Sequence, residues 1–168
     1  MTDPNGAGSD QVRVTVLVAV DPETAFRVFT EEIDQWWRRG VRFRASGSRP
    51  GVLRLEPWVG GHLFECIETE TGPHDVKAGR VIAWEPPSRL VFEWQGVNFQ
   101  PDESTEVEVK FTSSRSGTSV TLTHRGWNQI RKDHPARHNL PTNEFCQMLG
   151  MWWSDLMTSL REHTAGCG

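Results

Sequence analysis

The chain has 168 residues, enough for one domain with a full core and short of two comfortable ones. Lys and Arg total 18 against 22 Asp and Glu, so the formal charge is −4, which argues against broad electrostatic binding to nucleic acid or an anionic membrane. No segment approaches the roughly 20 apolar residues of a membrane helix, so no membrane insertion is expected.

Met1 to Asp10 is small and polar, lacks the apolar stretch of a secretory signal, and reads as a disordered arm. From Gln11 to Val20 the valines at 12, 14, 16, 18 and 20 share one face, which is the pattern of a half-buried strand. Asp21-Pro22 then opens a helix, with Asp21 as N-cap and Pro22 as first residue. A second short helix is expected from Glu31 toward Trp37, with Gly40 suited to its C-terminal cap.

Strand follows strand from Val41 to Gly126. Val52–Trp58 and His62–Thr69 flank a Val59-Gly60-Gly61 turn, and Glu70 to Val76 reads as a polar turn region. Lys77 to Glu85 is a strand stopped by Pro86-Pro87. Leu90, Phe92 and Trp94 alternate on the next strand, Val107, Val109 and Phe111 on another, and Val120, Leu122 and His124 close the series. Strands this closely spaced form an antiparallel meander. Gly126 to Pro141 is irregular. Thr142 to His163 carries the strongest helical pattern, with Phe145, Met148, Leu149, Trp152, Leu156 and Leu160 on one side, extended by Trp153 and Met157. The expected organisation is a single α+β domain over 11–163 with a flexible tail over 164–168. A sheet with one apolar face needs a cover, and the long helix is the one available. A curved sheet gripping such a helix leaves room for a pocket.

The aromatic inventory is unusual: eight Trp, eight Phe and no Tyr. Phenol chemistry is excluded. A surplus of Trp fits cavity walls, and equally a Trp-rich core. Trp37, Phe92, Trp94, Phe145, Leu149, Trp152 and Trp153 are the candidate ligand-binding set. His124 continues the inward parity of Val120 and Leu122. There it either meets a ligand, as hydrogen-bond partner or proton carrier, or is a core histidine satisfied internally. It is the one candidate catalytic residue. Glu56 and Glu65 flank the Gly-Gly turn, either as paired carboxylates or as solvated sheet positions. Arg89 is expected to pair with a carboxylate such as Glu85.

His134 and His138, with Asp133 or Cys146, have helical spacing for zinc, but Pro135 interrupts it and no second ligand pair appears, so no metal is expected. The absence of GxSxG, Walker and GxGxxG patterns leaves nucleophile-elbow hydrolysis and the usual nucleotide-cradling loops without support, and no cofactor is implied. Cys66, Cys146 and Cys167 include no close pair, which implies no disulfide framework and fits a reducing cytoplasm.

Several stretches carry a family resemblance in their order and spacing. They are Asp21-Pro22-Glu23-Thr24-Ala25-Phe26, Ile33-Asp34-Gln35-Trp36-Trp37 and Glu56-Pro57-Trp58-Val59-Gly60-Gly61. Gly79 to Leu90, Thr105 to Val109, Thr123 to Trp127 and Trp152-Trp153 complete the set. With these the chain resembles the START-like, or SRPBCC, superfamily and, more closely, the homologues of the heat-shock chaperone ATPase activator (AHSA-like). The resemblance implies a helix-grip fold, a seven-stranded antiparallel sheet around the C-terminal helix with an internal cavity. It also implies three kinds of function: binding of an apolar or aromatic, lipid-like or polyketide-like molecule; cyclase/aromatase catalysis in the same cavity; or a co-chaperone module with a chaperone partner or a homodimer. Members often carry a basic residue where this chain has Trp58, which would make the pocket rim more aromatic.

Overall fold

The computed structural model describes residues 10–96 and 98–167. The expected arm at 1–10 therefore lies almost wholly outside the described residues. Strand β1 (Val12–Val18) leads into α1 (Pro22–Glu31) and α2 (Ile33–Trp36). Strands β2 (Gly51–Leu55), β3 (His62–Thr69), β4 (Gly72–Glu85), β5 (Arg89–Trp94), β6 (Thr105–Ser114) and β7 (Gly117–Arg125) follow. Short 3-10 turns at Trp127–Gln129 and Pro135–Arg137 precede α3 (Thr142–Ala165).

The seven strands form one antiparallel sheet in the order β1-β7-β6-β5-β4-β3-β2. This is the α+β helix-grip architecture: a curled sheet, a long terminal helix laid against β1, and two short helices after the first strand. Local chemistry sets the elements. Asp21 Oδ1 accepts the Thr24 N–H at 2.9 Å, capping α1, and Pro22 occupies a position that needs no donor. Alternation along β6 and β7 turns Val107, Val109, Phe111, Val120 and Leu122 inward, each nearly free of solvent. Each such side chain contributes about 1.5–3 kcal/mol by leaving water.

Four local expectations change. The polar stretch from Gly72 to Val76 is not a turn but the first part of β4, paired residue by residue with β3. Its faces are largely exposed, so it lacks the alternation that marks a strand in sequence. Strand β2 ends at Leu55 rather than Trp58, and residues 56–61 form the turn. The second helix ends at Trp36 with Trp37 as its cap, and Gly40, at φ +101°, begins a separate turn further along. The terminal helix runs two residues beyond His163, to Ala165.

Register carries the site. Phe92 on β5, Val107 on β6 and His124 on β7 form one cross-strand row, and Val12 of β1 continues it. Trp94 pairs with Thr105 in the neighbouring row. These two rows are the sheet wall that faces α3.

Candidate functional site

A cavity of about 500 Å³ lies between this wall, α3 and the 126–141 segment. The sheet side supplies Trp94 and His124, and α3 supplies Phe145, Met148, Leu149 and Trp152. Phe99 and Trp127 close one end, while Val41, Arg42 and His138 stand at another part of the wall. The size suits a small organic ligand, and so does a mainly apolar wall with few polar groups. A second cavity of about 220 Å³ adjoins it, sharing Val41, Arg42, Trp94, Gly96 and Trp152.

The helix explains why space remains. Trp153, Leu156, Met157 and Leu160 are buried to 1% exposure or less and form the true core stripe of α3. Met148, Leu149 and Trp152 are only half-buried, because the surface they face is the cavity rather than the sheet. The indoles interlock beside the hollow. Trp94 stacks on Trp37 at 6.3 Å and meets Trp152 and Trp153 edge-on at 6.2 and 6.1 Å. Trp127 meets Phe145 edge-on at 4.6 Å. Such aromatic pairs contribute roughly 0.5–1.5 kcal/mol beyond area burial.

The nine sequence-picked residues separate into groups. Trp94, His124, Phe145, Leu149 and Trp152 line the large cavity, and Trp37 lines the small one. Phe92 is 1% exposed, behind Trp94, and Trp153 is fully buried behind His124. Trp58 is 52% exposed on the β2–β3 turn and lines neither cavity.

His124 is internally satisfied. The indole N–H of Trp153 donates to its Nδ1 at 3.1 Å, so its proton sits on Nε2 and donates to Thr105 Oγ1 at 2.6 Å. Complete burial pushes its pKa down from 6.5 to about 3, so the ring is neutral. With both nitrogens engaged, it offers the cavity its ring rather than a free donor or acceptor.

The strongest polar group is Glu65, for which the sequence offers a paired-carboxylate or a solvated reading. Glu65 is not a solvated sheet position: it is 3% exposed and lines the small cavity. Its carboxylate accepts the Ser46 backbone N–H at 2.9 Å and the Ser46 hydroxyl at 2.6 Å, and Arg44 Nη1 lies 3.5 Å away. Arg44 is itself buried, bound to Asp34 Oδ1 at 2.7 Å and to the carbonyls of Asp34, Trp37 and Arg38. Glu56 instead accepts the His62 backbone N–H at the turn. Arg89 pairs with Glu85, as expected, and also with Glu108.

The segment from 37 to 50 is fastened to α3 as well. Trp152 Nε1 donates to the Arg42 carbonyl at 2.9 Å, Arg42 pairs with Asp155 at 3.1 Å, and Phe43 stacks on Trp152.

His134, His138, Asp133 and Cys146 do not form a ligand group. His134 Nδ1 accepts the Ala136 N–H, while His138 is exposed with φ +48°, so the helical spacing is never realised. Among the described residues, Glu32, His163 and Cys167 are the group whose ligand atoms come within 4.8 Å of one another. There His163 Nε2 bonds Glu32 Oε1 at 3.0 Å and holds that carboxyl below its usual range, and Arg27 takes the other oxygen. Among the described residues no helix is long and apolar enough to cross a membrane.

A curled sheet gripping a helix over an aromatic cavity defines a helix-grip protein. The family model of Activator of Hsp90 ATPase homolog 1-like protein matches residues 19–148, and the chain belongs to that family. No curated protein matches the sequence at a significant level. Among solved structures, an anthrahydroquino-γ-pyrone synthase, Txn09, is 32% identical, with 71% of this chain and 78% of that one covered and a TM-score of 0.51. The Aha1 dimer from Colwellia psychrerythraea is 16% identical with a TM-score of 0.60, covering 90% of this chain and 93% of that one. Protein MLL2253 from Mesorhizobium loti is 20% identical with a TM-score of 0.59, covering 90% and 94%. The last two likenesses show the fold.

Proposed function

We propose that the protein binds a planar, fused-ring aromatic molecule in the cavity between α3 and the β5–β7 wall. The observation that carries this reading is the half-buried Met148–Leu149–Trp152 surface facing Trp94 and Trp127 across about 500 Å³ of space. A flat ring system gains there from edge and face contacts with indoles at little cost in its own flexibility. A hydroxyl-free tricyclic such as 2-methoxyfluorene tests it by calorimetric titration. Saturable binding at one site, weakened by filling the cavity, supports the reading. Absence of binding up to the solubility limit of the probe overturns it.

A second reading is ring-closing catalysis on such a ligand. It is favoured by the 32% identity to Txn09, a synthase named for an anthrahydroquino-γ-pyrone product. Holding a flexible chain in a shaped cavity lowers the entropic part of a cyclisation barrier. In that reading His124, neutral and doubly bonded, positions the wall instead of moving protons. Turnover of a linear aromatic precursor that falls strongly on cavity filling, but little in Thr105→Val, is the expected result.

A further inference from the structure

We infer that Glu65 forms the polar end of the ligand site and selects a neutral hydroxyl donor, so that the ligand is a phenolic or hydroxylated fused-ring aromatic rather than an anionic one. This rests on the cavity reading above and adds the chemistry of one end. The two cavities share Val41, Arg42, Trp94, Gly96 and Trp152 as walls, and a ligand lying against those indoles would direct one edge toward the chamber that Glu65 lines.

The donor and acceptor inventory decides the class. A carboxylate offers roughly four acceptor sites. Ser46 fills two with its N–H and hydroxyl, and Arg44 lies at ion-pair distance. Acceptor capacity therefore remains at the cavity wall. Four of the five Arg44 N–H groups already reach Arg38, Asp34 and Trp37, and Nη1 stands 3.5 Å from Glu65 Oε2 itself. A ligand carboxylate would meet the Glu65 charge directly, with Arg44 committed elsewhere and Lys77 exposed at the pocket wall, whereas a phenol O–H would meet a charge-assisted acceptor that is itself 3% exposed. Glycine at position 51 belongs to the same device. A Cβ there would lie 2.8 Å from Glu65 Oε2 and 3.0 Å from Ser46 Cβ, so only glycine leaves the carboxylate where it stands.

The test compares 2-hydroxyfluorene with 2-methoxyfluorene in calorimetric titrations of the full chain. Wild-type protein is expected to prefer the hydroxyl probe by about tenfold or more, the size of one charge-assisted hydrogen bond. Glu65→Gln, which replaces the charged acceptor with a neutral amide, is expected to shrink that preference to within about threefold. Gly51→Ala, which keeps the charge and displaces it, is expected to do the same, and it decides the matter if Glu65→Gln fails to fold by near-ultraviolet circular dichroism. Equal binding of the two probes to wild-type protein, or a preference that survives a folded variant, overturns the role of Glu65 and leaves the cavity reading standing. Failure of both probes to bind overturns the cavity reading and this inference with it.

Discussion

The side chain of Trp153 is hydrogen-bonded to His124 across the interior, indole Nε1 to imidazole Nδ1 at 3.1 Å, and both residues are essentially free of solvent. The bond ties the centre of α3 to the last strand of the sheet. It also fixes the imidazole tautomer, because an indole only donates. The wall of the cavity is therefore held by a neutral polar pair whose state depends on pH.

Acid is expected to weaken the fold through His124. Its folded pKa, pushed down to about 3 by burial, lies below the unfolded value of 6.5. The unfolded chain then binds the proton first, so stability is complete above the unfolded value and declines as pH falls toward the folded one. The slope for one proton is at most about 1.4 kcal/mol per pH unit. Urea denaturation should give a stability about 1–2 kcal/mol lower near pH 5 than near pH 7.5, with a flatter dependence in His124→Gln. His134, also lowered by burial and by Arg131, acts in the same direction in both proteins, so the difference between them isolates His124. Parallel curves for the two proteins would assign the effect elsewhere.

Removing the cation of the buried cluster should be costly. Arg44→Met leaves the Glu65 carboxylate buried without its counter-ion, and the Asp34 carboxyl loses one of its two arginines. Burial alone would push the Asp34 carboxyl up, but the Leu53 N–H and Arg44 outweigh it, and the net position is below the usual aspartate value. Breaking a buried pair from one side costs about 3–5 kcal/mol. The expected result is a drop of that size in unfolding free energy. A loss under about 1 kcal/mol would mean that the cluster is solvated in solution.

The contrast between His124 and Glu65 shows what the amino-acid order makes legible. Alternation placed His124 inward because Val120 and Leu122 set its parity, and the structure agrees. Leu63 and Ile67 set the same parity for Glu65, and that signal was available on β3. A charged residue at an inward position reads as solvated until its partners are seen. Those partners, Ser46 and Arg44, lie in the irregular 37–50 segment, where no period marks burial. The partners of His124, Thr105 and Trp153, stand 19 and 29 residues away and follow from sheet register and helix placement rather than from any local pattern. The first five residues of β4, Gly72 to Val76, escape the sequence for the opposite reason, since an exposed polar arm pairs through its backbone alone.

Gly79→Ala should disturb the cavity through the backbone. Gly79 pairs with Trp94, and a Cβ on it would come within 2.4 Å of the Glu93 carbonyl oxygen and 3.3 Å of Phe92 Cδ2. The β4–β5 pairing must open for the methyl to fit, which moves Trp94 away from Trp37 and Trp152. A loss of about 1–3 kcal/mol in stability is expected, as for overpacking a tight site. Trp emission should shift toward the wavelength of solvated indole. Unchanged emission and stability would show that the two strands already stand further apart.

Two leucines on α3 separate wall from core. Leu160 is 1% exposed and packed on all sides, so Leu160→Ala should cost about 2–5 kcal/mol by leaving a cavity. Leu149 is half-buried beside a space that already exists, so Leu149→Ala removes fewer contacts and should cost under about 1.5 kcal/mol. The reverse change, Leu149→Trp, places an indole into that space. It should leave the unfolding midpoint within a few degrees of wild type, because the site can accept the volume without displacing core side chains. It should also abolish binding of 2-methoxyfluorene. Equal costs for the two alanine variants, together with a strongly destabilised Leu149→Trp, would mean that α3 is seated against a solid interior.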